Sequence, residues 1–174
     1  MKTSSRFLSL VLRHKPHQIG LELDAGGWVR VDQLLSALHA HGREMSEAEL
    51  NHIVASNNKQ RFTIAAGRIR ANQGHSIAID LDLEPTPPPA CLYHGTVARY
   101  LDAIRREGLQ KMTRHHVHLS TDQASAALVG QRRGEPVVLT VKASQMHADG
   151  IEFFVSANDV WLVDEVLPTY IEFP

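Results

Sequence analysis

The sequence predicts a two-lobed protein of the α+β class, and three observations support this prediction. Apolar residues make up 43% of the 174 residues and charged residues 21%, which is typical of globular proteins. Short segments with helical spacing alternate with short segments typical of strands. Four of the eight prolines lie in residues 85–89, Pro-Thr-Pro-Pro-Pro, which favour polyproline II over helix or strand. We therefore expect a linker at 85–89 between lobes at 1–84 and 90–174.

Three helices are predicted in the first lobe. Ser4 or Ser5 can cap the first helix, and Pro16 prevents its extension. Asp32 can cap the second helix. Residues 46–49, Ser-Glu-Ala-Glu, form a capping box that opens the third helix.

Short strands are predicted around these helices. Strands at 21–23 and 28–31 flank the turn sequence Asp-Ala-Gly-Gly at 24–27, and a second hairpin joins 62–64 to 68–70. Two helices followed by a β-hairpin is the pattern of the winged-helix fold. We therefore predict a winged-helix first lobe.

The second lobe alternates short strands and helices. Helices are predicted at 97–107, ending at Gly108, and at 122–129. The predicted strands are 91–94, 116–120, 136–141, 152–155 and 160–166. The pattern predicts a compact α+β lobe and leaves the order of its strands open.

Composition excludes several classes of protein. The sequence contains neither an apolar run of 18 residues nor a secretory signal pattern, so we expect no membrane span and no secretion. The single cysteine, Cys91, cannot form an internal disulfide or a thiolate zinc site, so we expect a reducing cytoplasm. The sequence leaves the oligomeric state open, with a monomer as the default expectation. The 11 histidines lack cysteine partners and the His-Glu-x-x-His spacing, so we predict no metal site.

The net charge of −1 conceals a strong segregation of charge. Residues 1–20 contain four basic residues and no acidic residue: Lys2, Arg6, Arg13 and Lys15. Residues 149–174 contain six acidic residues and neither lysine nor arginine. A basic face on such a chain can bind phosphate despite the low net charge.

Two local basic groups lie in the first lobe. Arg13, His14 and Lys15 end the first helix, where cations also simply complement the helix dipole. Lys59 and Arg61 precede a strand, and because positions two apart share a strand face, we expect them to point the same way. Solvated charge at a strand end is the alternative for this second group.

Two further groups lie in the second lobe. The segment 93–96, Tyr-His-Gly-Thr, is expected where a strand ends and a helix begins, so that Gly95 exposes backbone N–H groups to an anion or an amide. The alternative is a plain turn with Thr96 as the helix cap. The segment 130–134, Gly-Gln-Arg-Arg-Gly, is a basic loop. Several phosphate-binding groups without an obvious nucleophile indicate polyanion chemistry.

Taken in order along the chain, these segments resemble the RNA 2′-phosphotransferase family (KptA type). The resemblance covers nearly the whole chain. It rests on residues 12–16 (Leu-Arg-His-Lys-Pro), 59–62 (Lys-Gln-Arg-Phe), 69–76 (Ile-Arg-Ala-Asn-Gln-Gly-His-Ser), 93–96 (Tyr-His-Gly-Thr), 118–120 (His-Leu-Ser) and 129–132 (Val-Gly-Gln-Arg).

The resemblance implies a winged-helix lobe joined to an ADP-ribosyltransferase-like lobe. It implies transfer of an internal RNA 2′-phosphate to the co-substrate NAD through an ADP-ribosylated RNA intermediate. The products are RNA with a 2′-hydroxyl, ADP-ribose 1″,2″-cyclic phosphate and nicotinamide. The best-understood substrate of the family is tRNA that carries a splice-junction 2′-phosphate, and the sequence leaves the physiological RNA open.

Site residues follow from the resemblance by motif matching. Four residues correspond to the family's essential set: Arg13, His14, Arg61 and Arg132. Four more correspond to its NAD-contacting segments: His94, Gly95, Thr96 and Ser120.

This chemistry suits the residues. A phosphate monoester has a second pKa of about 6, so at neutral pH it is a dianion. Such a dianion needs residues that bind and orient it more than it needs a general base. In the second step charge builds on the phosphoryl oxygens, where Lys59 and Arg61 would act. His14 would either transfer a proton or bind phosphate.

Two other functions remain as alternatives. The first is a winged-helix DNA-binding regulator, but the candidate recognition helix at 46–57 carries Glu47 and Glu49 and neither lysine nor arginine. The second is an ADP-ribosyltransferase that acts on nucleic-acid phosphate ends. NAD consumption separates the regulator from both enzymes, and loss of an RNA 2′-phosphate separates the two enzymes.

Overall fold

The computed structural model describes residues 3–174, so Lys2 of the N-terminal basic group lies outside the described part. Helices and antiparallel strands occur throughout, which confirms the predicted α+β class. The chain divides into two compact units with a boundary between Asp82 and Leu83. Residues 83–89 contain no helix or strand, and the N–H of Thr86 donates to the carbonyl of Phe153.

Three α-helices form in the described residues of the first unit. Helix α1 (Ser5–Arg13) is capped by Ser4, whose hydroxyl accepts from the N–H of Phe7. The other two are α2 (Val31–Ala40) and α3 (Glu47–Ala55). The predicted capping box of α3 is present, because Ser46 and Glu49 bond each other's backbone N–H. The prediction that Asp32 caps α2 is wrong: Asp32 lies in the first turn of α2 and its carboxylate pairs with Arg30.

The first unit has one antiparallel sheet of order β1-β3-β2, formed by β1 (Val29–Arg30), β2 (Phe62–Ala65) and β3 (Arg68–Ala71). The hairpin of β2 and β3 confirms the prediction. The predicted strand at 21–23 is wrong, because β1 pairs with β3 instead. The Asp24 carboxylate accepts from the N–H groups of Gly26 and Trp28, which fixes the intervening residues as a loop.

The core of the first unit lies between the three helices and one face of the sheet. Ile69, Phe62 and Val29 point from the sheet toward this core. The helices contribute Leu8, Val11, Leu12, Leu34, Leu38 and Leu50, all fully buried. The opposite face of the sheet carries Arg30, Thr63, Arg68 and Arg70.

The second unit contains short strands in several small sheets. The strands are β4 (Leu92–Val97), β5 (Leu109–Gln110), β6 (Val117–Leu119), β7 (Pro136–Val141), β8 (Phe154–Val155), β9 (Trp161–Val163), β10 (Glu165–Val166) and β11 (Ile171–Glu172). The sheets have the orders β11-β7-β4, β6-β9-β8 and β10-β5. A single antiparallel bridge between Tyr93 and Ser120 joins β4 to the end of β6.

Three helices accompany these strands: α4 (Leu101–Glu107), α5 (Gln123–Gly130) and α6 (Ala143–Ala148). Asp122 caps α5 by accepting from the N–H of Ser125. Helix α6 lies in a segment for which no element was predicted. The predicted strand at 160–166 is broken, because β9 pairs with β6 and β8 whereas β10 pairs with β5.

The predicted end of the first strand of this unit is also wrong. Strand β4 continues through Thr96 to Val97, which pair with Val137 and Pro136 of β7. A short 3₁₀ turn at Ala98–Tyr100 then leads into α4. Thr96 is therefore a strand residue and caps no helix.

Candidate functional site

The end of α1 lies against the segment that follows β3. The N–H of Ser76 donates to the carbonyl oxygen of Arg13 at 3.0 Å, and the hydroxyl of Ser76 lies 2.9 Å from His14 Nδ1. The Nε and Nη2 atoms of Arg13 are buried, whereas His14 is exposed. The fold thus joins two of the segments singled out in the sequence, 12–16 and 69–76.

Lys59 and Arg61 do not share a strand face, so this prediction is wrong. Asn57 Oδ1 accepts from the N–H of Lys59 at 3.1 Å, and its carbonyl oxygen accepts from the N–H of Gln60 at 2.7 Å. Gln60 adopts a φ of 40°, a left-handed conformation that ends strand alternation. Lys59 therefore lies in an exposed turn before β2.

Arg61 is held separately from Lys59. Its Nη1 donates to Asn57 Oδ1 at 3.4 Å, and its carbonyl oxygen accepts from the N–H of Asn72 at 2.9 Å. Asn57 Nδ2 also donates to Ser5 Oγ at 3.2 Å, which ties this turn to the start of α1. Asn57 thus positions the half-buried Arg61.

His94 of β4 contacts the backbone of β6. Its Nδ1 lies 3.1 Å from the carbonyl oxygen of His118. A carbonyl only accepts, so Nδ1 carries the hydrogen and Nε2 of the neutral ring is an acceptor. Burial lowers the pKa of His94, and the positive charges of Arg133 and Arg114 lower it further, against the opposing effect of the bond to His118. The imidazole is therefore neutral at pH 7.

Gly95 packs directly against α5. A Cβ at this position would lie 1.7 Å from the carbonyl oxygen of Ala126, and a Cβ at Gly130 would lie 2.7 Å from the carbonyl oxygen of Thr96. The two glycines therefore allow the backbones of β4 and α5 to meet. This contact corrects the prediction that Gly95 lies at a junction of strand and helix.

The backbone of Gly95 also lies at an edge where the pairing of β4 with β6 is interrupted. Tyr93 exchanges both backbone hydrogen bonds with Ser120. Because alternate residues of a strand direct their N–H and C=O groups to the same edge, those of Gly95 point to the side of β6. Within residues 3–174, pairing of β4 with β6 is limited to the Tyr93–Ser120 bridge. Gly95 thus offers one donor and one acceptor at this edge.

The other two predicted NAD-contacting residues lie beside Gly95. Thr96 is buried in β4, with its backbone against Gly130. Ser120 is half-buried and forms the bridge to Tyr93. The structure therefore brings His94, Gly95, Thr96 and Ser120 together in the second unit.

Arg114 lies beside the predicted NAD-contacting residues, and the sequence analysis did not single it out. Its Nη1 donates to Nδ1 of His118 at 3.3 Å, and the carbonyl of the same His118 accepts from His94. Desolvation lowers the pKa of Arg114, and the positive charges of Arg133 and Arg132 lower it further. A guanidinium stays protonated despite such a shift, so these three arginines form a positive cluster near His94.

Arg132 lies in the 3₁₀ turn Gln131–Arg133 that follows α5, and its side chain is exposed. Arg133 stacks on the ring of Tyr100, with its guanidinium carbon 5.9 Å from the ring centroid. The sequence signal for Arg114 is its place four residues before His118, the first residue of the segment 118–120. Only the fold shows that the two side chains meet.

In the described part of the chain, no group of three or more His, Cys, Asp or Glu side chains could hold a metal ion. None of the helices within residues 3–174 combines the length and apolar character needed to cross a membrane.

Comparison with known proteins decides the family. The family model described as "RNA 2'-phosphotransferase, Tpt1 / KptA family" matches residues 1–165. The chain belongs to this family. A relative from Streptomyces griseus, named "Probable RNA 2'-phosphotransferase", is 57% identical over 96% of this chain and 93% of its own length.

Further members of the family carry the same name. The relative from Streptomyces coelicolor is 56% identical over 98% of this chain and 93% of its own length. The relative from Rhodopirellula baltica is 50% identical over 99% of this chain and 95% of its own length. These comparisons confirm the resemblance that the sequence motifs indicated.

Proposed function

We propose that this protein is an NAD-dependent RNA 2′-phosphotransferase. It transfers an internal 2′-phosphate of a tRNA-like RNA to NAD and releases RNA with a 2′-hydroxyl, ADP-ribose 1″,2″-cyclic phosphate and nicotinamide. The observation that carries this proposal is the near full-length match to relatives named RNA 2′-phosphotransferase. The proposal includes a winged-helix first lobe, an ADP-ribosyltransferase-like second lobe and the linker at 85–89.

The second unit has groups suited to NAD. When bound, NAD supplies an electrophilic ribose carbon and nicotinamide as its leaving group. The Nε2 acceptor of His94 suits a ribose hydroxyl. The N–H and C=O of Gly95 suit a primary carboxamide, which has one acceptor and two donors. The positive cluster of Arg114, Arg132 and Arg133 suits phosphate oxygens.

The first unit has groups suited to the RNA phosphate. The dianionic 2′-phosphate is itself the nucleophile, so a residue that binds and orients it suffices for the first step. Arg13, with buried guanidinium nitrogens, and Arg61, held by Asn57, are donors of this kind. In that step a phosphate oxygen bonds to the ribose carbon and nicotinamide leaves.

The second step requires a proton as well as charge stabilisation. The oxygen of a ribose hydroxyl bonds to phosphorus and gives up its proton, the bond from phosphorus to the RNA 2′-oxygen breaks, and this leaving oxygen takes up a proton. His14 is exposed and fixed through Nδ1 by Ser76, so its Nε2 is the atom that would carry the proton or bind phosphate. Lys59 lies in the turn before β2. It would add positive charge near the phosphate from a different direction than Arg61.

The test is incubation of the whole protein with a 2′-phosphorylated oligoribonucleotide, with and without NAD, followed by a denaturing gel. We expect the 2′-phosphate to be lost only with NAD, and we expect a chelator to leave the rate unchanged. Dephosphorylation without NAD would contradict the proposal. ADP-ribosylated RNA as the final product would instead favour an ADP-ribosyltransferase, and RNA and NAD that both remain unchanged would favour a regulator.

A further inference from the structure

The sheet of the first unit has an arginine-rich face. The register pairs Arg30 with Arg68 and Thr63 with Arg70. Because side chains alternate along a strand and Ile69 points to the core, these residues share the opposite face. We refer to Arg30, Thr63, Arg68 and Arg70 as the outer face of the sheet.

Trp28 belongs to the same face. It precedes Arg30 by two residues, and its half-buried ring contacts both arginines of β3. The guanidinium carbon of Arg70 lies 4.7 Å from the ring centroid, and that of Arg68 lies 5.8 Å away. Such cation–π contacts restrict the guanidinium planes before any ligand binds.

Carboxylates neutralise two of the three arginines. Arg68 pairs with Asp24 and Arg30 pairs with Asp32. Burial raises the pKa of Asp24, but hydrogen bonds from Trp28 and Arg68 and the charge of Arg68 outweigh this effect and lower it. The hydrogen bond from Arg30 lowers the pKa of Asp32. Both carboxylates are therefore ionised at neutral pH.

Arg70 differs from these two arginines. Among the described residues it has no carboxylate partner, and its buried Nε has no hydrogen-bond partner. Within residues 3–174, the Arg70 side chain makes one long hydrogen bond, 3.4 Å from Nη1 to the carbonyl oxygen of Gly26. The outer face thus holds one positioned guanidinium whose charge no carboxylate of the described residues neutralises.

This guanidinium lies close to a residue of the proposed active site. Arg61 precedes Thr63 by two residues, and Thr63 lies directly opposite Arg70. The bond from the N–H of Asn72 to the carbonyl of Arg61 extends the ladder by one step, so Arg61 also lies on the outer face. Two residues span roughly 7 Å along a strand, so Arg70 and Arg61 occupy neighbouring positions on the outer face.

We propose that Arg70 binds a backbone phosphate of the RNA next to the nucleotide that carries the 2′-phosphate, and that Trp28 positions its guanidinium. The inference rests on the proposed function, because it takes RNA as the substrate. Arg61 would hold the reacting phosphate while Arg70 holds the strand that flanks it. A contact with the phosphate backbone fixes the position of the RNA strand and does not recognise any base.

The test measures binding of a labelled 12-nucleotide RNA with one internal 2′-phosphate, by fluorescence anisotropy at several salt concentrations without NAD. We expect Arg70→Gln to weaken binding about 5- to 20-fold and to reduce the slope of log K against log salt by about 0.7, the value for one phosphate of a single strand. Arg43→Gln is the matched control, because Arg43 stacks on Phe7 in the same unit, 3.6 Å from its ring centroid.

Further variants separate binding from folding. Arg70→Lys keeps the charge and should keep the salt slope, and Trp28→Phe should weaken binding less than Arg70→Gln. A nucleoside 2′-phosphate should bind the wild type and Arg70→Gln with nearly equal affinity, because it has no backbone phosphate for Arg70 to contact. Unchanged affinity and slope in Arg70→Gln, or equal weakening in Arg43→Gln, would overturn the inference.

Failure of this inference is distinguishable from failure of the proposed function. If the wild type removes the 2′-phosphate with NAD but Arg70→Gln binds RNA normally, only the inference is wrong. If the wild type leaves the 2′-phosphate in place yet Arg70→Gln binds RNA more weakly, the proposed function is wrong and the RNA contact stands.

Discussion

His94 and His118 are linked by a hydrogen bond of 3.1 Å from an imidazole nitrogen to a backbone oxygen. The side chain of His118 accepts from Arg114 in turn. One residue of β6 therefore fixes both the tautomer of a neutral histidine and the position of a guanidinium. Because the bond to His94 involves the backbone, substitution of the His118 side chain should release Arg114 while leaving His94 in place.

The lowered pKa of His94 predicts a dependence of stability on pH. The unfolded chain binds a proton at its ordinary pKa of about 6.5, whereas the folded protein resists protonation. Stability is therefore complete above pH 6.5 and falls as the pH drops toward the lowered value. His94→Asn should flatten this decline in urea unfolding measured from pH 7.5 to pH 5.

His116 provides a comparison for this pH experiment. Burial also lowers its pKa, so His116→Asn should remove a separate part of the same decline. A wild-type protein whose free energy of unfolding is constant from pH 7.5 to pH 5 would contradict both assignments.

Ser76→Ala tests the role of the bond to His14. This bond lies at the surface, so its loss should lower the free energy of unfolding by less than about 1 kcal/mol. Loss of imidazole orientation should lower kcat/KM for dephosphorylation by up to about tenfold. Ser144→Ala, which removes another exposed serine hydroxyl, is the control and should leave kcat/KM unchanged.

Asn57→Ala tests the turn that positions Arg61. The substitution removes bonds to Ser5, Lys59 and Arg61 together. We expect a loss of about 1–2 kcal/mol in thermal unfolding and a lower kcat/KM. Asn58→Ala, at the exposed neighbouring position, should change neither quantity. Equal effects at the two positions would show that Asn57 has no special role.

Gly95→Ala should be strongly destabilising. The new methyl group would lie 1.7 Å from the carbonyl oxygen of Ala126, and backbone cannot move aside as a flexible side chain can. We expect a loss of roughly 3 kcal/mol in urea unfolding. Gly150→Ala is the control: its φ of 91° causes strain, but no atom lies within 4 Å of the new Cβ, so about 1 kcal/mol is expected.

Local signals in the sequence predicted the parts of the fold that depend on neighbouring residues. The capping box at Ser46 and Glu49 and the hairpin of β2 and β3 are set by a few adjacent residues, and both were predicted. The order of chemical segments along the chain was sufficient to indicate the family.

Features that depend on distant contacts were predicted wrongly or missed. The extension of β4 through Thr96 depends on β7, some forty residues further along the chain. The separation of Lys59 from Arg61 depends on a left-handed Gln60, a conformation that the residue type does not favour. The importance of Arg114 depends on two arginines contributed by another loop.

The interrupted pairing of β4 with β6 also bears on self-association. An unpaired strand edge invites a strand from another molecule and is a recognised cause of aggregation. The Tyr93–Ser120 bridge closes this edge before Gly95, and β4 ends two residues after it at Val97, so the open stretch offers at most the backbone groups of Gly95 and Val97. An intruding strand needs several consecutive backbone pairs, which this gap is too short to provide. A single small amide needs only one, so the length of the gap favours a small molecule over another polypeptide.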